Sequence, residues 1–282
     1  MTSQRLYRTD AVVLRRHDLG EADRVLTLYS PRVGKFRAVA KGVRRPKSRL
    51  GGHVELFTHV NVLVAQGRNL DIVTQAETVR PYPRIRDDLW KAAYACYAAE
   101  LVDRFTEERL DNPAVFDLLL ELLAYLDTLQ VEPEGGAVRE AREPVGSSAA
   151  AGAVELAARN FELRLLGHLG YAPELFHCVQ CARRLVPSQN RFSAADGGVL
   201  CADCGEDHPG ARAVSVTAIK AMRLMGQEPF GVFQRLRLAP DVALEVEGAL
   251  RAHINYLLER QLRTSEFIDR MRADHKRERR AS

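Results

Sequence analysis

HVELFTHVNVLVAQ, residues 53–66, alternates. Its even positions are Val54, Leu56, Thr58, Val60, Val62 and Val64, and its odd ones include Glu55, His59 and Asn61. Successive strand residues point to opposite faces, so this run predicts a strand with one buried face. Shorter strand-like runs lie on either side, at Ala11–Arg15, Arg24–Tyr29, Lys35–Ala40 and Leu70–Ala76. Turn signals separate them: Leu19-Gly20, Pro31 to Gly34, Gly51-Gly52 and Gly67-Arg68-Asn69. Five short strands in about 80 residues, with no helix-length crossovers, suit a small closed barrel. A five-stranded OB-type barrel is the first choice. An SH3-like barrel would give a similar pattern, and periodicity does not separate the two.

Pro81 and Pro83 end the β region, and the remainder reads as helix. Leu89, Ala93, Cys96, Tyr97, Leu101 and Phe105 recur at spacings of three and four. Asp111 or Asn112 can cap a second helix, with Pro113 in its first turn. Residues 131–149, rich in Glu, Gly, Pro and Ser, predict a flexible loop. Further helices are expected at Ala151–Leu169, Thr217–Met225 and Val242–Leu262, then a frayed, Arg-rich C-terminal tail. The fold class is therefore α+β, with a barrel domain over 1–82 and a mostly helical domain over 83–282.

The chain of 282 residues is 46% hydrophobic and 28% charged, which fits a folded chain of about two domains. No apolar run approaches the roughly 18 residues of a membrane span. Near the N-terminus only Ala11–Leu14 are consecutively apolar, short of the roughly 7–15 of a secretory core, so a cytoplasmic location is expected. The net charge of +4 conceals an asymmetry. Residues 1–86 hold 17 Lys/Arg against 7 Asp/Glu, a net of +10, leaving −6 for the rest.

Much of that positive charge sits in RVGKFRAVAKGVRRPKSR, residues 32–49. Arg32, Lys35, Arg37, Lys41, Arg44, Arg45, Lys47 and Arg49 are there, with no acid among them. Such a segment attracts a phosphate backbone by releasing its counterions. OB-type barrels combine a basic groove with aromatic faces on which bases stack. Tyr29, Phe36 and Phe57 are the candidates for stacking, although for Phe36 or Phe57 taken singly a core position is the commoner role.

Cys178 and Cys181 form one C-x-x-C, and Cys201 and Cys204 another, with 19 residues between the pairs. That spacing fits a structural zinc site, with two knuckles supplying four thiolates to one ion. A closed sulfur shell leaves no open position for a water, which argues for structure over catalysis. Asp196-Gly197-Gly198 marks a hairpin between the pairs, so a zinc ribbon is expected. His177 and His208 flank the pairs and are left out of the ligand set. Cys96 reads as a thiol packed on an apolar helix face.

No enzyme motif is complete. Gly34-Lys35 precedes Phe36 and lacks the rest of a phosphate loop. Gly146-Ser147-Ser148 does not complete G-x-S-x-G, and no H-E-x-x-H occurs. The Asp87-Asp88 and Glu107-Glu108 pairs fall at helix ends.

Two longer stretches carry a family resemblance: YRTDAVVLRRHDLGEADRVLTLYSPRVGKFRAVAKGVRRPKSRLGG (7–52) and FELRLLGHLGYAPELFHCVQC (161–181). With the cysteine pairs they resemble RecO, the bacterial recombination mediator of the RecF pathway. The resemblance implies an OB domain, a helical domain and, in many members, a structural zinc held here by Cys178, Cys181, Cys201 and Cys204. It implies binding of single- and double-stranded DNA, annealing, and work with RecR and single-stranded-DNA-binding protein to load RecA. It also implies a nucleoid-associated location and a pocket for the binding protein's acidic C-terminal tail, which no local motif locates. The alternatives are a zinc-ribbon RNA-binding or transcription-accessory protein, and a metal-dependent nuclease.

Overall fold

A computed structural model describes residues 6–129, 148–235 and 237–281. Five strands close a barrel: β1 (Leu6–Leu19), β2 (Asp23–Ser30), β3 (Gly34–Ala40), β4 (His59–Ala65) and β5 (Asp71–Arg80). The order is β1-β2-β3-β5-β4, with β4 returning to β1. All pairs are antiparallel except β3 with β5. This five-stranded closure is the OB arrangement. Closure depends on the length of β1. Its first half pairs with β4 and its second half with β2. The register slips between Val13 and Arg15, a bulge that bends the strand between its two neighbours.

Val60, Val62 and Val64 are fully buried with Val13, Leu26, Leu28, Ala38 and Ala40, as the alternation requires. The strand itself starts later than expected. Residues 41–58 form an irregular loop, and β4 begins only at His59. Phe57 adopts φ +66°, which no strand residue takes. The amide of Phe57 bonds the Val13 carbonyl, and the Thr58 carbonyl accepts from the Val13 amide, so the loop closes onto the β1 bulge. Val54 is buried all the same, because it points into the barrel end from the loop. The stacking assignment of Tyr29, Phe36 and Phe57 is corrected here. Their exposures are 0%, 0% and 3%, so all three rings are core and none offers a face to a base.

Three helices follow: α1 (Pro83–Arg86), α2 (Leu89–Phe105) and α3 (Pro113–Thr128). Asp88 caps α2, accepting from the amides of Trp90 and Lys91. Asn112 caps α3 through Val115, with Pro113 just inside. These helices pack with the barrel. One compact unit covers Met1–Leu129 and the second covers Gln130–Ser282. Gly34 shows how tight the helix–barrel seam is. It has φ +70°, and a Cβ there would lie 2.0 Å from the Leu110 carbonyl oxygen.

In the second unit α4 (Ser148–His168) ends before Gly170, whose φ of +79° turns the chain. The expected loop at 131–149 lies outside the described residues except for 148–149, which open α4. Strands β6 (Arg191–Ser193), β7 (Gly198–Leu200) and β8 (Arg212–Ala213) make a small sheet in the order β7-β6-β8, and α5 (Ala202–Gly205) follows β7. Then come α6 (Val216–Gln227), capped by Ser215, and α7 (Pro240–Leu258). The core joins Phe192 and Val199 of the sheet to Met222 and Met225 of α6 and Val246 and Leu250 of α7.

Two expectations change here. The helix expected at Val242–Leu262 stops at Leu258, where Glu259 turns left-handed at φ +53°. The expected frayed tail is instead the end of α8 (Arg263–Ala281). Its Arg272 and Asp269 engage Glu247 and Arg251 of α7. Among the described residues no helix is long and apolar enough to cross a membrane.

Candidate nucleic-acid interface and metal centre

The loop after β3 presents charge in a fixed way. The Gly42 amide bonds Asp23 Oδ1 at 2.7 Å, and the Arg44 amide bonds the Ala22 carbonyl at 2.9 Å. Val43 and Val54 are buried in the barrel core. Glu55 takes Arg16 of β1 and Arg24 of β2, the latter at 3.4 Å. Burying a valine contributes about 1.5–3 kcal/mol, against about 0–1 for an exposed ion pair. The apolar anchors therefore hold the loop, and its charges are left for other work.

Those charges face solvent. Lys41, Arg44, Arg45, Lys47 and Arg49 are all exposed. Among the described residues Lys41, Arg45, Lys47 and Arg49 meet no carboxylate within ion-pair distance. Arg44 reaches Asp18 at 3.4 Å, but Asp18 already binds Arg24 at 3.0 Å. Asp18 is held below the usual carboxylate range, first by its hydrogen bond from Arg24 and then by Arg44 and Arg16.

The other three predicted cations separate from this group. Lys35 is withdrawn as a phosphate contact. Its side chain is only 12% exposed, and its Nζ pairs with Asp103 of α2 at 3.4 Å and donates to the Asp103 carbonyl. Asp103 also takes Arg15 at 2.8 Å. Arg37 pairs with Glu108 at 3.0 Å on the same flank, and both side chains are half exposed. Arg32 lies in the β2–β3 turn, at the opposite end of β3 from the loop.

Arg32 leads to a site with no local sequence signal. Tyr7, Arg8, Arg32, Gln66 and Arg109 line an open pocket of about 380 Å³. Beneath it Asp71 is 1% exposed. Asp71 accepts from the Tyr7 hydroxyl at 2.5 Å, from Arg109 Nη2 at 2.5 Å and from the Gly67 amide at 3.1 Å. Burial and the bond to Asp71 push the Tyr7 hydroxyl up to about 12, so it stays a donor. Arg109 is left-handed at φ +65°, its amide bonds the Lys35 carbonyl at 2.8 Å, and its guanidinium lies over the Phe36 ring. Tyr7 and Arg109 stand 102 positions apart. Only tertiary structure joins them.

The four cysteines converge as the spacing requires. Their sulfurs all lie within 4.8 Å of one another. Backbone bonds build both knuckles: Ala182 to the Cys178 carbonyl at 2.8 Å and Gly205 to the Cys201 carbonyl at 2.9 Å. The expected hairpin joins β6 and β7, with Gly197 at φ +77°. His177 and His208 stand outside the cluster, beside Glu174 and Asp196. Cys181 and Cys201 sulfurs are 3.8 Å apart. A tetrahedral ion with metal–sulfur bonds of ~2.3 Å has sulfur–sulfur edges of about 3.8 Å. The Arg183 guanidinium holds Cys181 down at about 6. Cys204 is pushed up to about 12, first by its bond with Cys201, then by burial and the nearby thiols. With the four sulfurs this close, the cluster can hold a metal ion. Cys96 is half-buried on α2, and burial pushes its thiol up.

Comparison with known proteins agrees with this architecture. The chain matches the family described as Recombination protein O N terminal over residues 1–82. It matches Recombination protein O C terminal over 86–139 and 148–266. It is 40% identical to DNA repair protein RecO of Roseiflexus sp. over 268 residues, covering 95% of this chain and 87% of that one. It is 36% identical to DNA repair protein RecO of Symbiobacterium thermophilum, covering 95% and 98%. The counterpart from Dehalococcoides mccartyi strain 195 is 35% identical, covering 95% and 97%. A basic OB-type barrel, a four-cysteine cluster and both family matches lead to one conclusion: the chain belongs to the RecO family of DNA repair proteins.

Proposed function

We propose that this protein is a non-enzymatic recombination mediator. It binds single- and double-stranded DNA, anneals complementary strands and, with RecR, helps load RecA onto DNA coated by single-stranded-DNA-binding protein. The observation that carries this reading is the anchored loop with five exposed cations, Lys41, Arg44, Arg45, Lys47 and Arg49. Annealing holds two polyanions together, and a cationic surface screens their repulsion without ATP or a covalent intermediate. Because Tyr29, Phe36 and Phe57 are buried, the loop acts through phosphates and not through stacking on those rings. Such contacts are indifferent to base sequence and serve single strands and duplexes alike. Partner proteins direct the activity to coated DNA, one of them through its acidic tail. Cys178, Cys181, Cys201 and Cys204 would hold zinc, which would fix the ribbon that joins the core of the second unit.

The test is annealing of complementary oligonucleotides, bare or precoated, with and without RecR. The variant R44Q/R45Q/K47Q/R49Q is expected to lose annealing while its fold and metal content stay intact. Undiminished annealing by that variant overturns the reading. Magnesium-stimulated degradation of the DNA would overturn the non-enzymatic part, and tighter binding of structured RNA than of DNA would overturn the choice of nucleic acid.

A further inference from the structure

We propose that the pocket lined by Tyr7, Arg8, Arg32, Gln66 and Arg109 seats the phosphorylated end of a DNA strand. The inference rests on the DNA-binding reading and adds to it a second, chemically different contact.

The argument begins with charge. Three guanidinium groups line one open pocket of about 380 Å³. Arg109 is spent on the buried Asp71 below, which fixes its position. Arg8 and Arg32 have only neutral partners. Arg8 donates to Asn61 Oδ1 at 2.9 Å and Gln75 Oε1 at 3.3 Å, and Arg32 to the Arg8 carbonyl at 3.2 Å. Among the described residues neither has a carboxylate within ion-pair distance. Two positive charges therefore stand uncompensated. An internal phosphodiester carries one negative charge, whereas a terminal phosphomonoester carries about −1.5 to −2 at neutral pH and three free oxygens. The terminal group matches the pocket in charge and in its number of acceptors. Guanidinium forks suit such oxygens because they bind them in pairs.

The build of the pocket supports a preorganised site. Arg109 is held in a left-handed conformation that a bulky residue adopts at a cost, and Asp71, Tyr7 and the Lys35 carbonyl hold it there. Thr9 and Gln66 add polar lining, and the Tyr7 ring and Val33 add apolar lining. The position also fits. From Gly34 to Ala40, β3 spans about 20 Å, with the pocket at its start and the cationic loop at its end. A strand held at the loop reaches the pocket within the roughly 4–16 nucleotides that one such barrel covers.

The test compares one oligonucleotide with a 5′-phosphate, a 3′-phosphate or hydroxyls at both ends, by fluorescence anisotropy on the full chain. One phosphorylated form is expected to bind about tenfold tighter than the hydroxyl form. Millimolar inorganic phosphate should erase the difference. The variant R8Q/R32Q should lose the difference and keep its affinity for the hydroxyl form. Both residues are exposed, and circular dichroism checks that the variant folds. The R44Q/R45Q/K47Q/R49Q variant should bind all forms weakly yet keep their ratio. Equal affinity for all three forms overturns the pocket assignment alone. A difference that survives R8Q/R32Q overturns it too, as does one erased by a polyglutamate peptide but not by phosphate. Full affinity in the loop variant instead overturns the DNA-binding reading beneath it.

Discussion

Replacing Arg44, Arg45, Lys47 and Arg49 by glutamine removes four of the five exposed loop cations and leaves Lys41. If each of the five neutralises one phosphate of a single strand, the log–log salt slope of binding is about −3.5, from roughly −0.7 per contact. Raising salt fourfold, from about 50 to 200 mM, then weakens the parent protein by about 130-fold. The variant, with one contact left, should show a slope near −0.7 and weaken by only about 2.6-fold. The fold should barely notice. Asp18 keeps Arg24 when Arg44 is gone, and the loop keeps Val43, Val54 and its backbone bonds to Ala22 and Asp23. Exposed substitutions of this kind usually move stability by no more than about 0.5 kcal/mol. The assay is anisotropy of a labelled single strand titrated with protein across a salt series, with thermal melting in parallel. An unchanged slope in a variant that melts like the parent refutes the reasoning.

Three further outcomes are expected. Cys201→Ser should lower the bound metal measured by elemental analysis and lower the melting temperature, since structural zinc contributes folding free energy; full metal content with unaltered melting would count against the site. Gly34→Ala should destabilise by several kcal/mol in chemical denaturation, because the new methyl meets the Leu110 carbonyl at 2.0 Å and the backbone is left-handed; a cost below about 0.5 kcal/mol would show that the seam gives way. Acid should weaken the second unit. Asp269 is held low by its bond from Arg251, and Glu247, which burial alone would raise, is held low by Arg159, Arg272 and Arg251. Both folded values lie below the unfolded ones of about 3.9 and 4.3. Their stabilisation is therefore complete above that range and lost as pH falls through the folded values. Denaturation midpoints from pH 6 to 3 should drop, and less so in R251Q/R272Q.

Residues 53–66 show what was legible and what was not. Alternation reports burial, and Val60, Val62 and Val64 are buried in phase. It does not report pairing, so Val54, plugged into the barrel from an irregular loop, passed for strand. Phe36 lies in the same register as Ala38 and Ala40, and that inward phase already opposed a stacking role. The four-cysteine cluster was fully legible, because a knuckle is a local structure set by two residues of spacing. Lys35 was not, since Asp103 comes from a helix 68 positions away. The Tyr7–Asp71–Arg109 triad was invisible for the same reason.

The helices that follow the barrel have one more effect. Residues 87–129 carry 10 acidic against 3 basic side chains, and they share a compact unit with the basic barrel. Asp103 and Glu108 quench Lys35 and Arg37 along one flank, while the loop beyond Ala40 stays positive. The unit therefore carries its uncompensated cations toward the two ends of β3, with a quenched flank between them. A polyanion diffusing toward it feels a torque before contact and is repelled from the quenched flank. Approach is turned toward the cationic ends, so fewer encounters are wasted in unproductive orientations, and the association rate falls steeply as salt screens the field.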